Sequence, residues 1–262
     1  MGRDNCKIYF KVAKSIALEA GKLLLDKFHD KREIGFKGRI DLVTEMDTRS
    51  EEFIVNSIKK HFPDHGILAE EGNKENTGAE YLWIIDPLDG TTNYAHGFGF
   101  FCVSIALAKK DEGIIVGVVY APYLNECYTA VKGEGAYLNG KKIKVSEIGK
   151  LEQSLLATGF PYDIKESHAN IDHFNRFLMK AQAVRRPGSA AIDMCAVAAG
   201  KFDGFWELKL NPWDVAAGSL IIREAGGDVT DFKGGFHDIY KQEILASNGL
   251  IHEDMREVIN GG

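Results

Sequence analysis

The apolar positions of this chain change their spacing several times, and each change marks an element. Val12, Ile16, Ala20, Leu23, Leu24 and Phe28 recur every three or four residues and predict an amphipathic helix. The polar, glycine-bearing stretch HDKREIGFKGR that follows reads as an exposed, mobile loop. D-L-V-T then leads into a second helix. Thr48 with Glu51 reads as its capping box, Ile54, Ile58 and Phe62 carry its apolar face, and Pro63 stops it.

From Gly66 the spacing shortens to that of strands. GILAEEG ends on two glutamates and YLWIID ends on Asp86. CVSIALAKK alternates, with Val103, Ile105 and Leu107 on one face. IIVGVVYAP and CYTAVKG follow, and KGEGAYLNGK supplies glycine turns. This run of adjacent strands predicts a mostly antiparallel sheet. A polar stretch at residues 145–153 is the candidate boundary between two halves, 1–146 and 147–262. Beyond it the pattern alternates again. LLATGF reads as a strand, residues 168–180 as a helix, and AVRRPG as a strand and turn. Ser189 caps a helix running to about Gly200, with Ile192, Cys195, Ala196 and Ala199 on one side. DGFWEL reads as a strand, and Asp214 opens a helix closed by Gly226 and Gly227.

At 262 residues the chain suits one large domain or two closely packed halves. With 45% hydrophobic and 27% charged residues it can bury a core without staples. The balance of 32 basic and 38 acidic residues, net −6, argues against a nucleic-acid or membrane-surface binder. Cys6, Cys102, Cys127 and Cys195 are scattered and read as reduced thiols. The start, MGRDNCKIYF, has no apolar signal segment, and no apolar run reaches membrane-spanning length. No membrane contact is expected, and the cytoplasm is the expected compartment.

The densest chemistry lies in WIIDPLDGTTNYAHG. Asp86 and Asp89 flank a proline, and Gly90, Thr91 and Thr92 follow. Carboxylates three residues apart on a tight turn can share hard cations. Glycine followed by hydroxyls offers backbone N–H groups to a phosphate oxygen. Further acids stand at element ends: Asp47, Glu70 with Glu71, and Asp214. If the fold converges Glu70, Asp86, Asp89 and Asp214, they form a Mg²⁺ site able to clamp a phosphate and activate water. Competing motifs fail on spacing. An aspartyl-phosphate enzyme shows D-x-D-G-T, whereas two residues separate Asp86 from Asp89. An EF-hand needs alternating acids and a distal glutamate. AAGKF lacks the earlier glycine and the hydroxyl of a Walker loop, and no H-E-x-x-H suggests zinc.

E-E at Glu70 and Glu71, W-I-I-D-P-L-D-G-T-T-N-Y from Trp83 and P-W-D-V-A-A-G from Pro212 resemble the signatures of the inositol monophosphatase family. D-L-V-T-x-x-D at Asp41 to Asp47 and G-S-A-A at Gly188 to Ala191 match in order and separation. The resemblance covers nearly the whole chain. It implies an α+β fold, a layered α-β-α-β-α sandwich, in a homodimer that uses two to three Mg²⁺ per subunit. Glu70, Asp86 and the Leu88 carbonyl would bind one ion, and Asp86, Asp89 and Asp214 a second. A third, weaker ion would sit near Glu70 through waters. Gly90 and Thr91 would bind phosphate. Glu70 and Thr91 would hold the attacking water, and Asp47 would orient Thr91. Asp89, Ala190, Glu207 and Arg186 fall at substrate-contacting positions. Phe36 stands where a lysine is usual, with Lys37 next to it. R-R-P-G-S-A-A is closer to the bacterial branch.

The expected activity is Mg²⁺-dependent, lithium-sensitive hydrolysis of inositol monophosphate, a small phosphate ester. Fructose-1,6-bisphosphatase activity is the first alternative, for which Arg185, Arg186 and Lys201 matter. A 3′-phosphonucleotide phosphatase is a weaker one. A regulatory protein that binds a transcription partner or RNA is the alternative of another class.

Overall fold

In the computed structural model, residues 3–29, 34–36, 42–161, 168 and 170–261 are described. Helix α1 (Arg3–Lys27) precedes two short strands, β1 (Ile34–Phe36) and β2 (Leu42–Thr44), which pair antiparallel. The segment read as a loop therefore contains a strand. Lys37 and Asp41 lie outside the described residues. Helix α2 (Glu45–His61) follows. Strands β3 (Gly66–Ala69), β4 (Lys74–Glu75) and β5 (Tyr81–Asp89) come next, then a single helical turn, α3 (Thr91–Ala95). Strands β6 (Cys102–Lys109), β7 (Gly113–Ala121), β8 (Glu126–Val131), β9 (Ala136–Leu138) and β10 (Lys141–Lys142) complete the first half. The second half contains β11 (Leu155–Thr158), α4 (Ile171–Leu178), β12 (Ala183–Arg185), α5 (Ala190–Ala198) and β13 (Gly204–Leu208). It ends with α6 (Pro212–Glu224), β14 (Asp228–Thr230), β15 (Glu243–Ser247) and α7 (His252–Ile259).

Strands β3 to β10 form an eight-stranded sheet in the order β10-β9-β8-β7-β6-β5-β3-β4. Its pairs are antiparallel except β3 with β5, as the strand pattern predicts. The second sheet is mixed, in the order β12-β11-β13-β15-β14.

Period-2 alternation sorts side chains into layers. On β6, Val103, Ile105 and Leu107 pack with Ile16, Leu24, Ile54 and Ile58 of α1 and α2. Cys102 and Ala106 face the opposite way, against α5 and α6. On the second sheet Phe205, Ile244 and Ala246 meet those same helices from their other side. Trp206, Leu245 and Leu156 face α4 and α7. The result is helix, sheet, helix, sheet, helix.

All nine residues of α5 are buried, so this helix has no solvent side, contrary to the one-sided reading. A helix between two sheets is apolar all round. Helix α4 starts at Ile171, later than expected. The expected capping box of Thr48 and Glu51 is not formed, because α2 already begins at Glu45. Asp214 does not open α6 either. Asn211 is the N-cap, Pro212 the first helical residue and Asp214 the third.

Helix α6 lies close to the large sheet because the sheet is shallow beneath it. Ala106, Gly117 and Ala130 are register neighbours across β6, β7 and β8. A Cβ at Gly117 would stand 2.9 Å from the Ala217 carbonyl oxygen and 3.3 Å from its Cα. Backbone is what it would strike, so the helix itself must move. Gly117→Ala is expected to lower stability by about 1–3 kcal/mol in urea unfolding. Gly149→Ala, which meets nothing within 4 Å, should change it by less than about 0.5 kcal/mol.

A second consequence concerns pH. His237 is buried, and burial, then Arg223, lowers its pKa from 6.5 to about 4. The unfolded chain takes up this proton at a higher pH than the folded protein. The stabilisation is therefore complete above about pH 6.5 and lost as pH falls towards 4, roughly 3 kcal/mol in total. Urea midpoints at pH 7 and pH 4.5 should show a smaller acid loss in His237→Gln than in the parent protein.

Candidate active site

The two aspartates of the D-P-L-D segment share one side of the sheet because β5 carries a bulge. Asp86 pairs with Ser104 and Asp89 with Cys102, so three steps on β5 match two on β6. Regular alternation would send residues three apart to opposite faces. The extra residue turns Asp89 back to the side of Asp86, while Leu88 packs with α1 and α2. Pro87 suits a bulge, having no N–H to give a ladder. Strand β5 therefore continues to Asp89 and does not stop at Asp86.

The bulge is held from below by α2. Asp47, Ser50 and Glu51 are buried at helical spacing on one face. Ser50 Oγ donates to the Pro87 carbonyl at 2.9 Å. Thr91 Oγ1 lies 2.8 Å from Asp47 Oδ1 and 3.0 Å from the Leu88 carbonyl oxygen. Glu51 accepts the backbone N–H of Glu71 at 2.6 Å and the side-chain amide of Asn73 at 2.7 Å. It thereby shapes the turn that carries Glu70. Ser50 escaped the sequence reading, and Glu51 entered it only as half of a capping box. Their signal was a polar i, i+3, i+4 stripe in line with Ile54 and Ile58.

Gly90 enters α3 with φ 92°, in the left-handed region that favours glycine. A Cβ there would lie 2.9 Å from the Phe100 carbonyl oxygen. The second half is tied to this turn. Asn93 Nδ2 donates to the carbonyls of Phe100, Pro187 and Gly188 at 2.8, 3.0 and 3.2 Å. Asp89 Oδ2 accepts from Ser189 Oγ at 2.6 Å, the Ala191 N–H at 2.8 Å and Cys102 Sγ at 3.8 Å. Ser189 also caps α5 through the Ile192 N–H. One hydroxyl thus joins a helix start in the second half to a carboxylate in the first.

Together these elements enclose a cavity of about 300 Å³, at the small end for ligand sites. The loop after β3 brings Glu70, the bulge brings Asp86, Leu88 and Asp89, and α3 brings Gly90 and Thr91. The second half contributes Arg186, Ala190, Glu207 and Asp214. Asp47 acts from behind, through Thr91. Arg185 is exposed, and its guanidinium donates to the neighbouring Val184 carbonyl. Lys201 pairs with Glu126. Asp193, Ser189 and Asn93 also line the cavity and were not anticipated.

Six carboxylates line this space, with Arg186 and Lys209 as the basic side chains among the described lining residues. Burial, then Glu70, Asp89 and Asp214, holds the Asp86 carboxyl well above its ordinary range. Burial, then Glu70 and Asp89, does the same to Asp214, against the Asn211 N–H, which donates to Asp214 Oδ2 at 2.6 Å. Asp89 is raised by burial, against the donors on its Oδ2. Burial raises Glu207 as well, with Asp214 and Asp89 adding and Arg186 opposing. Crowded buried carboxylates of this kind call for positive charge.

Among the described residues no group of three or more acidic, histidine or cysteine side chains is disposed to hold one metal ion. Mg²⁺ does not require such a group. It binds through one or two carboxylates, keeps several waters and takes substrate oxygens. An all-oxygen donor set, open to a cavity and short of cations, fits that ion better than zinc.

The sequence model of the inositol monophosphatase family matches residues 7–260. This chain belongs to the inositol monophosphatase family. Its relatives include a fructose-1,6-bisphosphatase/inositol-1-monophosphatase of Aquifex aeolicus, 42% identical over 97% of this chain and 96% of that protein. The Nus factor SuhB of Escherichia coli is 42% identical over 93% of this chain and 92% of its own length. The solved inositol monophosphatase of Anabaena (Nostoc) sp. PCC 7120 superposes with a TM-score of 0.90 at 42% identity, covering 98% of this chain and 96% of that one. The family is one of metal-dependent phosphatases, and this chain is a phosphatase of that kind. Among the described residues no helix is long and apolar enough to cross a membrane.

Ser189→Ala removes both the cap of α5 and a donor to Asp89. Stability should fall by about 1 kcal/mol. With Asp89 as a metal ligand, the role the family resemblance implies for it, metal affinity should fall about 10–100-fold, the usual effect of deleting a partner that orients a ligand. Unfolding and metal titration monitored on the same variant check both, and Ser189→Thr should restore much of each.

Proposed function

We propose that this chain is a Mg²⁺-dependent phosphomonoesterase, with inositol monophosphate as its leading substrate. The observation that carries this reading is the crowding of buried carboxylates around one small cavity beside the Gly90 turn. Glu70, Asp86 and the Leu88 carbonyl would hold one ion, and Asp86, Asp89 and Asp214 a second, with a third near Glu70. Bound there, Mg²⁺ supplies charge to neutralise phosphoryl oxygens and acidity to make water a nucleophile.

The chain's own groups orient the reaction. The Thr91 hydroxyl has two acceptors, Asp47 Oδ1 at 2.8 Å and the Leu88 carbonyl oxygen at 3.0 Å. The shorter, charge-assisted bond to Asp47 is the stronger. With its proton turned to Asp47, Thr91 Oγ1 presents lone pairs to the cavity. It can take a proton from the attacking water while passing its own to Asp47. Glu70, on the turn shaped by Glu51, would hold that water from the other side. The N–H groups of Gly90 and Thr91 head a helical turn, where backbone donors lack intrahelical acceptors, and would receive the phosphate oxygens. Ala190, Glu207 and Arg186 would contact the alcohol, with Arg186 5.4 Å over the Phe160 ring at the rim.

Fructose 1,6-bisphosphate is the second substrate to weigh, supported by the name of the Aquifex relative and by Arg186. The name of the Escherichia coli relative supports testing a transcription partner as a further role. Assembly as a homodimer, sensitivity to Li⁺ and residence in the cytoplasm belong to the same proposal.

The test is phosphate release from inositol 1-phosphate and fructose 1,6-bisphosphate, with Mg²⁺, with EDTA and with added Li⁺. Turnover should require Mg²⁺, fall with Li⁺ and drop at least about 100-fold in Asp89→Asn. Absence of release from both esters in Mg²⁺ would falsify the catalytic reading.

A further inference from the structure

Glu51 is a carboxylate at 1% exposure on the buried face of α2. N–H groups meet it on both oxygens. Oε2 accepts from the Glu71 backbone at 2.6 Å. Oε1 accepts from the Asn73 backbone at 3.2 Å and from the Asn73 side-chain amide at 2.7 Å. Alternate backbone N–H groups aimed at one point form a small anion-binding concavity. Here the chain supplies its own anion. With both oxygens taken by donors and no place in the cavity lining, Glu51 is not a metal ligand. Bracing the sheet edge is a weak reason to bury a charge, since β4 is two exposed residues.

What the turn carries into the cavity is Glu70. The backbone ties the turn at its base, through the Ala69 N–H to the Asn73 carbonyl at 2.9 Å and the Glu70 N–H to the Ile85 carbonyl at 3.3 Å. At its tip Gly72 is exposed, with φ 123°, and a Cβ there would meet nothing within 4 Å. Glu70 acts more strongly than any other charge on both Asp86 and Asp214. These carboxylates repel, and the one on an exposed turn has the most room to withdraw. Glu51 opposes that withdrawal from the α2 side.

We propose that Glu51 is a positioning residue for Glu70. By holding the Glu71 and Asn73 N–H groups it sets the direction in which Glu70 enters the cavity, and it keeps that direction while no cation is bound. This rests on the phosphomonoesterase reading, in which Glu70 holds a metal ion and the attacking water, and it deepens that reading. The charge is needed for geometric reasons. A glutamine has one acceptor oxygen, so Glu51→Gln turns an amide NH₂ towards N–H donors and releases one end of the turn.

The test is Mg²⁺ binding, followed by calorimetry, in the parent protein, Glu51→Gln, Glu70→Gln and the double variant. Affinity should fall about 10–100-fold in Glu51→Gln, the usual effect of losing a group that orients a ligand. The double variant should bind no more weakly than Glu70→Gln alone, because the two residues act in series. In metal-free Glu51→Gln, amide hydrogen exchange should quicken about 10-fold or more at Glu71 or Asn73, and not at Ile105 in the core of the sheet. Asn73→Ala removes one side-chain donor from an exposed turn and keeps the carboxylate, so it serves even if Glu51→Gln folds poorly. Its loss of Mg²⁺ affinity should be smaller and should vanish in the Glu70→Gln background. Losses that add to that of Glu70→Gln, or parental affinity in both Glu51→Gln and Asn73→Ala, overturn the proposal. Coupled losses of Mg²⁺ affinity in a protein that hydrolyses no ester would support the positioning role and count against the phosphatase reading alone.

Discussion

Mutual repulsion among buried carboxylates is the constraint on which this structure turns. Glu70, Asp86, Asp89 and Asp214 act on one another through little water, and Glu207 and Asp193 stand close by. Left alone, such groups would separate, protonate or draw in solvent. Rigid supports on several sides hold them in place. The bulge orients two of them, and the buried stripe of Asp47, Ser50 and Glu51 fixes the bulge, Thr91 and the Glu70 turn. The repulsion that strains the site is also what suits it to positive charge. Binding energy that would otherwise be needed to gather ligands is already invested in the fold.

The two halves meet at this site through specific contacts. Asn93 reaches three carbonyls, two of them in the second half, and Ser189 links the start of α5 to Asp89. Helix α6 brings Asp214 in only because Gly117 and its small neighbours let its backbone approach the sheet. Stability and the geometry of the cavity therefore share residues. A change that lifts α6 by a few tenths of an ångström moves a carboxylate as well as a core helix.

Charge also bears on substrate choice. The catalytic end of the cavity is negative and suited to cations and, through them, to phosphate. Burial holds the carboxyls of Glu207 and Asp193 well above the ordinary carboxylate range, with Arg186 opposing that shift at Glu207.

Residue order by itself determined the class of elements, the antiparallel character of the first sheet and the layered fold expected from the family likeness. It also marked five of the six acids that the cavity collects: Asp86, Asp89 and Asp214 stand in the two signature segments, Glu70 in the E-E pair and Glu207 at a position matched by the family likeness, whereas nothing marked Asp193. Helix ends were less legible. Thr48 with Glu51 has the spacing of a capping box, but a cap and a buried polar stripe use the same residues at the same interval. Local spacing cannot tell whether Glu51 bonds its own helix or a turn twenty residues away. The segment from Asp228 onward, with β14, β15 and α7, was not read from the sequence, although Met255, Val258 and Ile259 carry the spacing of a buried helix face. The tertiary structure alone decided that Asp86 and Asp89 face one way, since a bulge is defined by the partner strand. It alone brought Asp193 beside Glu207 and Ser189 onto Asp89. Those contacts span a hundred residues in places, and only packing of one sheet against another can set them.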